Sequence, residues 1–347
     1  MTTFQNLEFG LDTFGDITRD DSGLRTGAQV IRDTLAEGIL ADQVGVDYFG
    51  LGEHHRPDFA ISAPEPILGA LLGQTKHIHG GTSVTVLSSD DPIRVYQRFA
   101  TLDAIAPGRA EITIGRGSFT ESFPLFGYKL DDYEDLFTEK SQLLHELATQ
   151  EKVTFQGSHV PELKGVTVWP RAETPLKIWR GVGGSPQSVI EAAAAGMPLV
   201  LAIIGGDPAR FAPLADLYRR AHEQMGTPVL PIGVHSPGHV GATDAEARDE
   251  YFEGYAKMHE MVGRSRGWGK LSRAAYDAEI AHGSLYVGSP ETVAKKIART
   301  VKILGLDRFT LKYSSGPQDY RANLRNVELY GTKVIPLVRE MLAAEAA

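Results

Sequence analysis

The stretch Leu102-Asp-Ala-Ile-Ala-Pro-Gly-Arg-Ala-Glu-Ile-Thr-Ile-Gly-Arg-Gly117 decides the fold. It reads as the end of a helix, a turn through Pro107 and Gly108, a buried strand, and a Gly-Arg-Gly where that strand stops. Glycine lets a backbone approach a ligand closely, and Arg116 between two glycines offers a forked cation suited to phosphate. Upstream, a second strand, Tyr48-Phe-Gly-Leu-Gly52, stops at Glu53-His54-His55. Two strands that each end in chemistry, with a helix after each, are the pattern of a (β/α)8 barrel enzyme. The first expectation is an enzyme with a phosphorylated cofactor.

Outward from these two strands the alternation runs through the chain. Strands are expected over 7–14, 47–52, 78–87, 110–115, 177–182, 198–204, 230–240 and 308–314, with helical periodicity between them. Ser88-Ser-Asp-Asp-Pro92 is a helix start, with capping side chains and a proline in the first turn. The pattern lapses twice, near 150–176 and near 263–283. Eight strands with no low-complexity break favour a closed α/β TIM barrel over an open sheet. The expectation is a single domain over 1–347 with insertions at the two lapses.

Composition narrows the function. A net charge of -9 speaks against a nucleic-acid partner, which needs a basic face. The absence of cysteine removes thiolate metal sites and cysteine nucleophiles. No apolar run approaches the roughly 20 residues of a membrane span, and no export signal is visible, so a cytoplasmic protein is expected.

In a barrel the chemistry lies at the C-terminal ends of the strands. Adjacent histidines on a strand point to opposite faces, so His54 and His55 do not present themselves to one metal ion, and no metal is expected. These residues either make hydrogen bonds at a strand end, or one histidine moves a proton with Glu53 orienting it. Gly181-Val-Gly-Gly-Ser-Pro-Gln-Ser188 sits where a strand becomes a helix. Free N–H groups there, with the Ser185 and Ser188 hydroxyls, make a phosphate cradle that Arg116 can reach. His235 and His239 read as ordinary loop histidines.

Taken together these residues resemble the bacterial luciferase-like family of flavin-dependent monooxygenases and oxidoreductases. The carriers are Gly-Glu-His-His at 52–55, Gly-Gly-Thr-Ser-Val-Thr-Val-Leu at 80–87, Asp-Pro-Ile-Arg at 91–94, Leu-Asp-Ala-Ile-Ala-Pro-Gly-Arg at 102–109, Ile-Gly-Arg-Gly at 114–117, Phe-Gly at 126–127 and Ala-Gly-Met-Pro-Leu at 195–199. The resemblance implies a barrel that holds reduced FMN at its mouth, with the phosphate against Arg116, Gly117 and the turn of Gly184, Ser185 and Ser188. It implies a cis peptide between Ser83 and Val84 beneath the flavin ring, and His54 as the catalytic histidine beside Glu53. Two departures stand out. The light-emitting subunit of luciferase has a cysteine where this chain has Gly115, and a second phosphate-binding arginine of the family falls near Glu134.

The expected function is a two-component monooxygenase that uses FMNH2 and O2 to oxygenate a small organic substrate. No Gly-x-Gly-x-x-Gly fingerprint opens a βαβ unit, which points to a separate flavin reductase as partner. A deazaflavin-dependent oxidoreductase of the same barrel family is the alternative, and a non-catalytic flavin-binding protein is a third. A homodimer is expected through the helices of 64–76 and 92–106, where Ile67, Leu71, Leu72 and Tyr96 offer apolar surface. The segment 263–283 is expected as a lid, with Trp268 as an apolar cover and Arg264, Arg266 and Lys270 facing an anionic flavin.

Overall fold

The computed structural model describes residues 4–117 and 119–344. Eight parallel strands close on one another: β1 (Glu8–Thr13), β2 (Tyr48–Leu51), β3 (His79–Thr82), β4 (Ala110–Gly115), β5 (Lys177–Val182), β6 (Leu199–Ala202), β7 (Ile232–Val240) and β8 (Arg308–Lys312). Each pairs with the next, and β8 returns to β1 with Glu8 beside Arg308 and Asp12 beside Lys312. The fold is a (β/α)8 TIM barrel, as the alternation predicts.

Helices surround it where capping signals allow them to start. Thr26 and Gln29 form a reciprocal capping box at α1 (Gly27–Gln43). After α2 (Pro64–Leu72), Asp91 caps α3 (Pro92–Ile105), and after α4 (Tyr133–Thr149), Ser185 caps α5 (Pro186–Ala194). Both of these caps precede a proline at the first helical position, where its missing N–H costs nothing. Farther on come α6 (Ala212–Met225), α7 (Asp244–Arg266), α8 (Arg273–His282), α9 (Pro290–Leu304), α10 (Tyr320–Leu329) and α11 (Ile335–Ala344).

The N-terminal end of the barrel is closed by charge. Arg308 donates to Glu111 at 2.8 Å and to Glu8 at 2.7 Å, and its guanidinium lies 4.4 Å from both the Tyr48 and the Trp179 ring centres. Trp179 Nε1 donates to the same Glu111 carboxylate at 2.8 Å. The opposite end therefore holds the open space.

The lapse near 150–176 contains an antiparallel hairpin, Val153–Phe155 with Leu163–Val166, which stands outside the barrel sheet. Three expectations change. The segment 263–283 is largely helical: α7 runs on to Arg266, a six-residue link follows, and α8 packs Tyr276 and Ile280 into a satellite core with Tyr251 and Tyr255. Beyond it the strand Tyr286–Gly288, which sequence patterning misses, pairs with the outer end of β7. Finally, Ile67, Leu71, Leu72 and Tyr96 are all buried within the chain itself. They face the chain's own core, so they offer no apolar surface for a dimer.

Candidate active site

A cavity of about 560 Å³ opens at the C-terminal ends of the strands. Its floor is the interruption of β3. The Ser83–Val84 peptide is cis, and the chain resumes as Thr85–Val86, which pairs with β4. Gly115 on β4 lies against this shelf: a Cβ there would come 2.8 Å from Val84 Cγ2. That crowding excludes a cysteine at 115 without movement of Val84.

Glu53 and His54 follow β2 but part company. Glu53 accepts from Val86 N at 3.1 Å and pairs with His55 Nε2 at 2.8 Å, not with His54. The histidine that Glu53 orients is therefore His55, not the cavity residue His54, and Glu53 also ties the β2 end to the shelf after β3. Adjacent side chains of an extended segment diverge, and this is what separates the two imidazoles. His54 turns into the cavity, in a cage of Phe14 at 4.7 Å, Phe59 at 4.5 Å and Phe119 at 5.3 Å between ring centres. Its Nε2 is buried without a hydrogen-bond partner. Burial, with the Lys312 and Arg56 cations nearby, pushes the imidazole down to about 3, so it is neutral at physiological pH.

Beneath the shelf lies a cluster that sequence reasoning misses. Asp12 on β1 is fully buried and accepts from Ser83 Oγ at 2.8 Å, while His235 Nδ1 lies 2.6 Å from the same oxygen. His235 is thus a cavity residue held by a carboxylate, not an ordinary loop histidine. Across the mouth, Lys312 pairs with Asp16 at 2.9 Å and lies 4.5 Å from the Phe14 ring centre.

The residues expected to hold a phosphate meet beside the cavity. Arg116 Nη2 donates to Ser188 Oγ at 3.1 Å, joining residues 72 apart at the start of α5. Ser185 Oγ caps that helix by accepting from Ser188 N at 3.3 Å. Gly184, at φ +135°, makes the preceding turn, and Gly117 lines the cavity. The other Arg116 terminal nitrogen is engaged by Glu134, an exposed carboxylate in the first turn of α4. One arm of the guanidinium is therefore held by an anion of the chain's own.

The rim comes from α7 and the link after it. Tyr255, Met258, His259 and Val262 line one wall, and Trp268 stands 5.0 Å from His259. Trp268 is at the mouth as expected, though on a short link between helices. Arg264 and Lys270 are exposed and are not among the cavity residues; the side chain of Arg266 lies outside the described residues. Among the described residues no three His, Asp or Glu side chains gather as a metal-holding group, and no helix is long and apolar enough to cross a membrane.

Comparison with known proteins follows this geometry. The family model of luciferase-like monooxygenases matches residues 13–308. The chain is 27% identical over 297 residues to N-acetyl-S-alkylcysteine monooxygenase of Bacillus subtilis, covering 79% of this chain and 84% of that one. It is 32% identical over 161 residues to an F420-dependent glucose-6-phosphate dehydrogenase of Beutenbergia cavernae, covering 44% and 47%. Its fold matches the oxygenating constituent of 3,6-diketocamphane monooxygenase from Pseudomonas putida, solved with FMN, at a TM-score of 0.74 and 20% identity over 95% of this chain and 98% of that one.

Proposed function

The chain belongs to the family of luciferase-like monooxygenases, and from that premise we propose that it is an FMN-dependent monooxygenase of the two-component type. A separate flavin reductase supplies reduced FMN; one atom of O2 goes to a small organic substrate and the other leaves as water. The observation that carries this reading is the convergence of Arg116 on Ser188, at a helix N-terminus that adjoins the cavity. The residues fit a phosphorylated flavin in part: Arg116, Ser185 and Ser188 meet at one helix start, but Glu134 must give way for a phosphate to take both arms of Arg116.

When bound in its reduced form, FMN supplies the electrons that activate O2. The chain's own residues do the rest. Arg116, Ser188 and the turn of Gly184 and Ser185 would hold the phosphate, and Ser83 and Val84 would support the ring. His54, neutral in its cage, offers Nε2 as a hydrogen-bond donor or acceptor to the reacting oxygen, according to tautomer. Phe14, Phe59, Phe119 and Trp268 keep water from the reacting atoms. Glu53 and Asp12 are positioning residues, the first acting through the Val86 backbone and the second through Ser83 and His235.

Deazaflavin-dependent oxidation is the second reading, favoured by the likeness to the F420-dependent dehydrogenase. Fluorescence titration with FMN and with coenzyme F420 separates the two. Saturable quenching of FMN, with F420 left unbound, is the expected result. Tighter binding of F420 would transfer the function to the second reading.

A further inference from the structure

Resting on the flavin reading for part of the cavity, we propose that the substrate is an uncharged, mainly apolar molecule carrying one carbonyl or hydroxyl group, seated against His54. The argument starts from the charges on the cavity wall. Three carboxylates, Asp12, Asp16 and Glu53, and two cations, Arg308 and Lys312, line it. Both cations are committed. Lys312 is held by Asp16 at 2.9 Å, and Arg308 by Glu111 at 2.8 Å and Glu8 at 2.7 Å.

An anionic substrate would therefore meet a wall with carboxylates in excess and no cation to spare. Burying an unpaired charge is far costlier than burying a neutral group, so sulfonates, phosphates and carboxylates are selected against. A cationic substrate fares no better, because each lining carboxylate is already engaged: Asp12 by Ser83 and His235, Asp16 by Lys312, and Glu53 by the Val86 N–H and His55. What remains for recognition at the His54 end is apolar surface and one polar atom.

That surface is the ring of Phe14, Phe59 and Phe119. The polar atom is His54 Nε2, buried and without a partner. Two other lining side chains carry such an atom among the described residues: Asp12, in its cluster with Ser83 and His235, and His259, beside Trp268 at the rim. Only His54 sits inside the aromatic cage. A neutral imidazole donates from one ring nitrogen and accepts at the other, so Nε2 can serve a carbonyl or a hydroxyl according to tautomer. Neither partner brings a charge into the cage.

An isosteric set of probes tests this: acetophenone, 1-phenylethanol, cumene, benzoate and benzamidine share size and ring and differ in one polar group. Calorimetric titration of the full chain, with and without saturating oxidised FMN, gives each affinity. Acetophenone or 1-phenylethanol should bind at least tenfold tighter than benzoate and benzamidine, and threefold to tenfold tighter than cumene, the range of one neutral hydrogen bond. His54→Phe should erase the advantage over cumene, and His54→Asn, which keeps a polar group, should retain part of it. Benzoate or benzamidine binding as tightly as the ketone would overturn the proposal, as would a ketone advantage that survives in His54→Phe. If FMN itself fails to bind, the flavin reading falls, while the probe series without FMN still judges the cage.

Discussion

Arg116 is the residue on which a flavin phosphate turns, and its two neighbours pull in opposite directions. Ser188 steadies the guanidinium at the start of α5, while Glu134 offers it a competing anion. A charge-assisted hydrogen bond contributes about 1.5–3 kcal/mol, so Arg116→Ala should weaken FMN binding by roughly tenfold to a hundredfold. Riboflavin, which has no phosphate, should be almost unaffected; equal losses for both flavins would remove Arg116 from the phosphate site. Glu134 is exposed, where ion pairs contribute about 0.2–1 kcal/mol. Glu134→Gln should thus tighten FMN by up to about fivefold relative to riboflavin in the same titration, and an unchanged ratio would show that the carboxylate swings aside freely. Arg116, Ser188 and His54 were legible in the sequence because each sits at a strand end or a helix start, positions that the barrel makes chemical. Asp12, His235 and the choice of His55 by Glu53 were not. Those contacts depend on side-chain direction and on meetings between residues as far apart as 12 and 235, which local patterning does not encode.

The barrel strands and most helix starts follow from alternation and capping, and they appear within a few residues of where the sequence puts them. The segment after β7 does not, and a single glycine explains the error. Gly263 opens the segment expected as a lid, yet it lies inside α7, where a Cβ would sit 2.8 Å from Trp268 Cβ. The glycine marks a close approach of the link to the helix, not an end. Gly263→Ala therefore sets two effects against each other. Alanine favours a helix interior over glycine by about 1 kcal/mol, but the added methyl leaves no room for Trp268 as it stands. The link is short and exposed, so it should yield before the helix does. We expect helicity to be kept or raised, with Trp268 displaced from the cavity rim and the tryptophan emission shifted to the red. An unchanged emission spectrum would mean that the rim tolerates the methyl. In wild type, trypsin should cut at Lys270 in the link in preference to sites within α7 or α8, and more slowly with FMN bound. Cutting within the helices first would contradict their packing.

Across the whole molecule, two buried groups at different places give stability opposing dependences on pH. Glu37 on α1 is buried, accepts a hydrogen bond from Tyr313 Oη at 2.5 Å, and is pushed by burial from the usual 4.5 up to about 7. Its folded-state value is raised, so the native protein holds a proton that the unfolded chain has lost. This contribution is complete below 4.5 and declines as pH rises through 7. His54 works in the other direction. Its value falls from the usual 6.5 to about 3, so its contribution is complete above 6.5 and is lost as pH falls toward 3. Each group imposes a slope of about 1.4 kcal/mol per pH unit, and between pH 4.5 and 6.5 the two slopes cancel. The wild-type profile in that window conceals both, and removing one group should reveal the other. Relative to wild type, Glu37→Gln should gain stability with rising pH by up to about 3 kcal/mol across the window. His54→Phe should lose stability with rising pH by a similar amount. Urea unfolding of the three proteins at half-unit intervals measures this, and the differences remove contributions common to all, such as those of His145 and His222, which burial also pushes down. Parallel profiles for all three would show that neither group keeps its buried protonation state in the folded protein. A change in His54→Phe alone would place the effect in the cavity and leave Glu37 ionised against Tyr313.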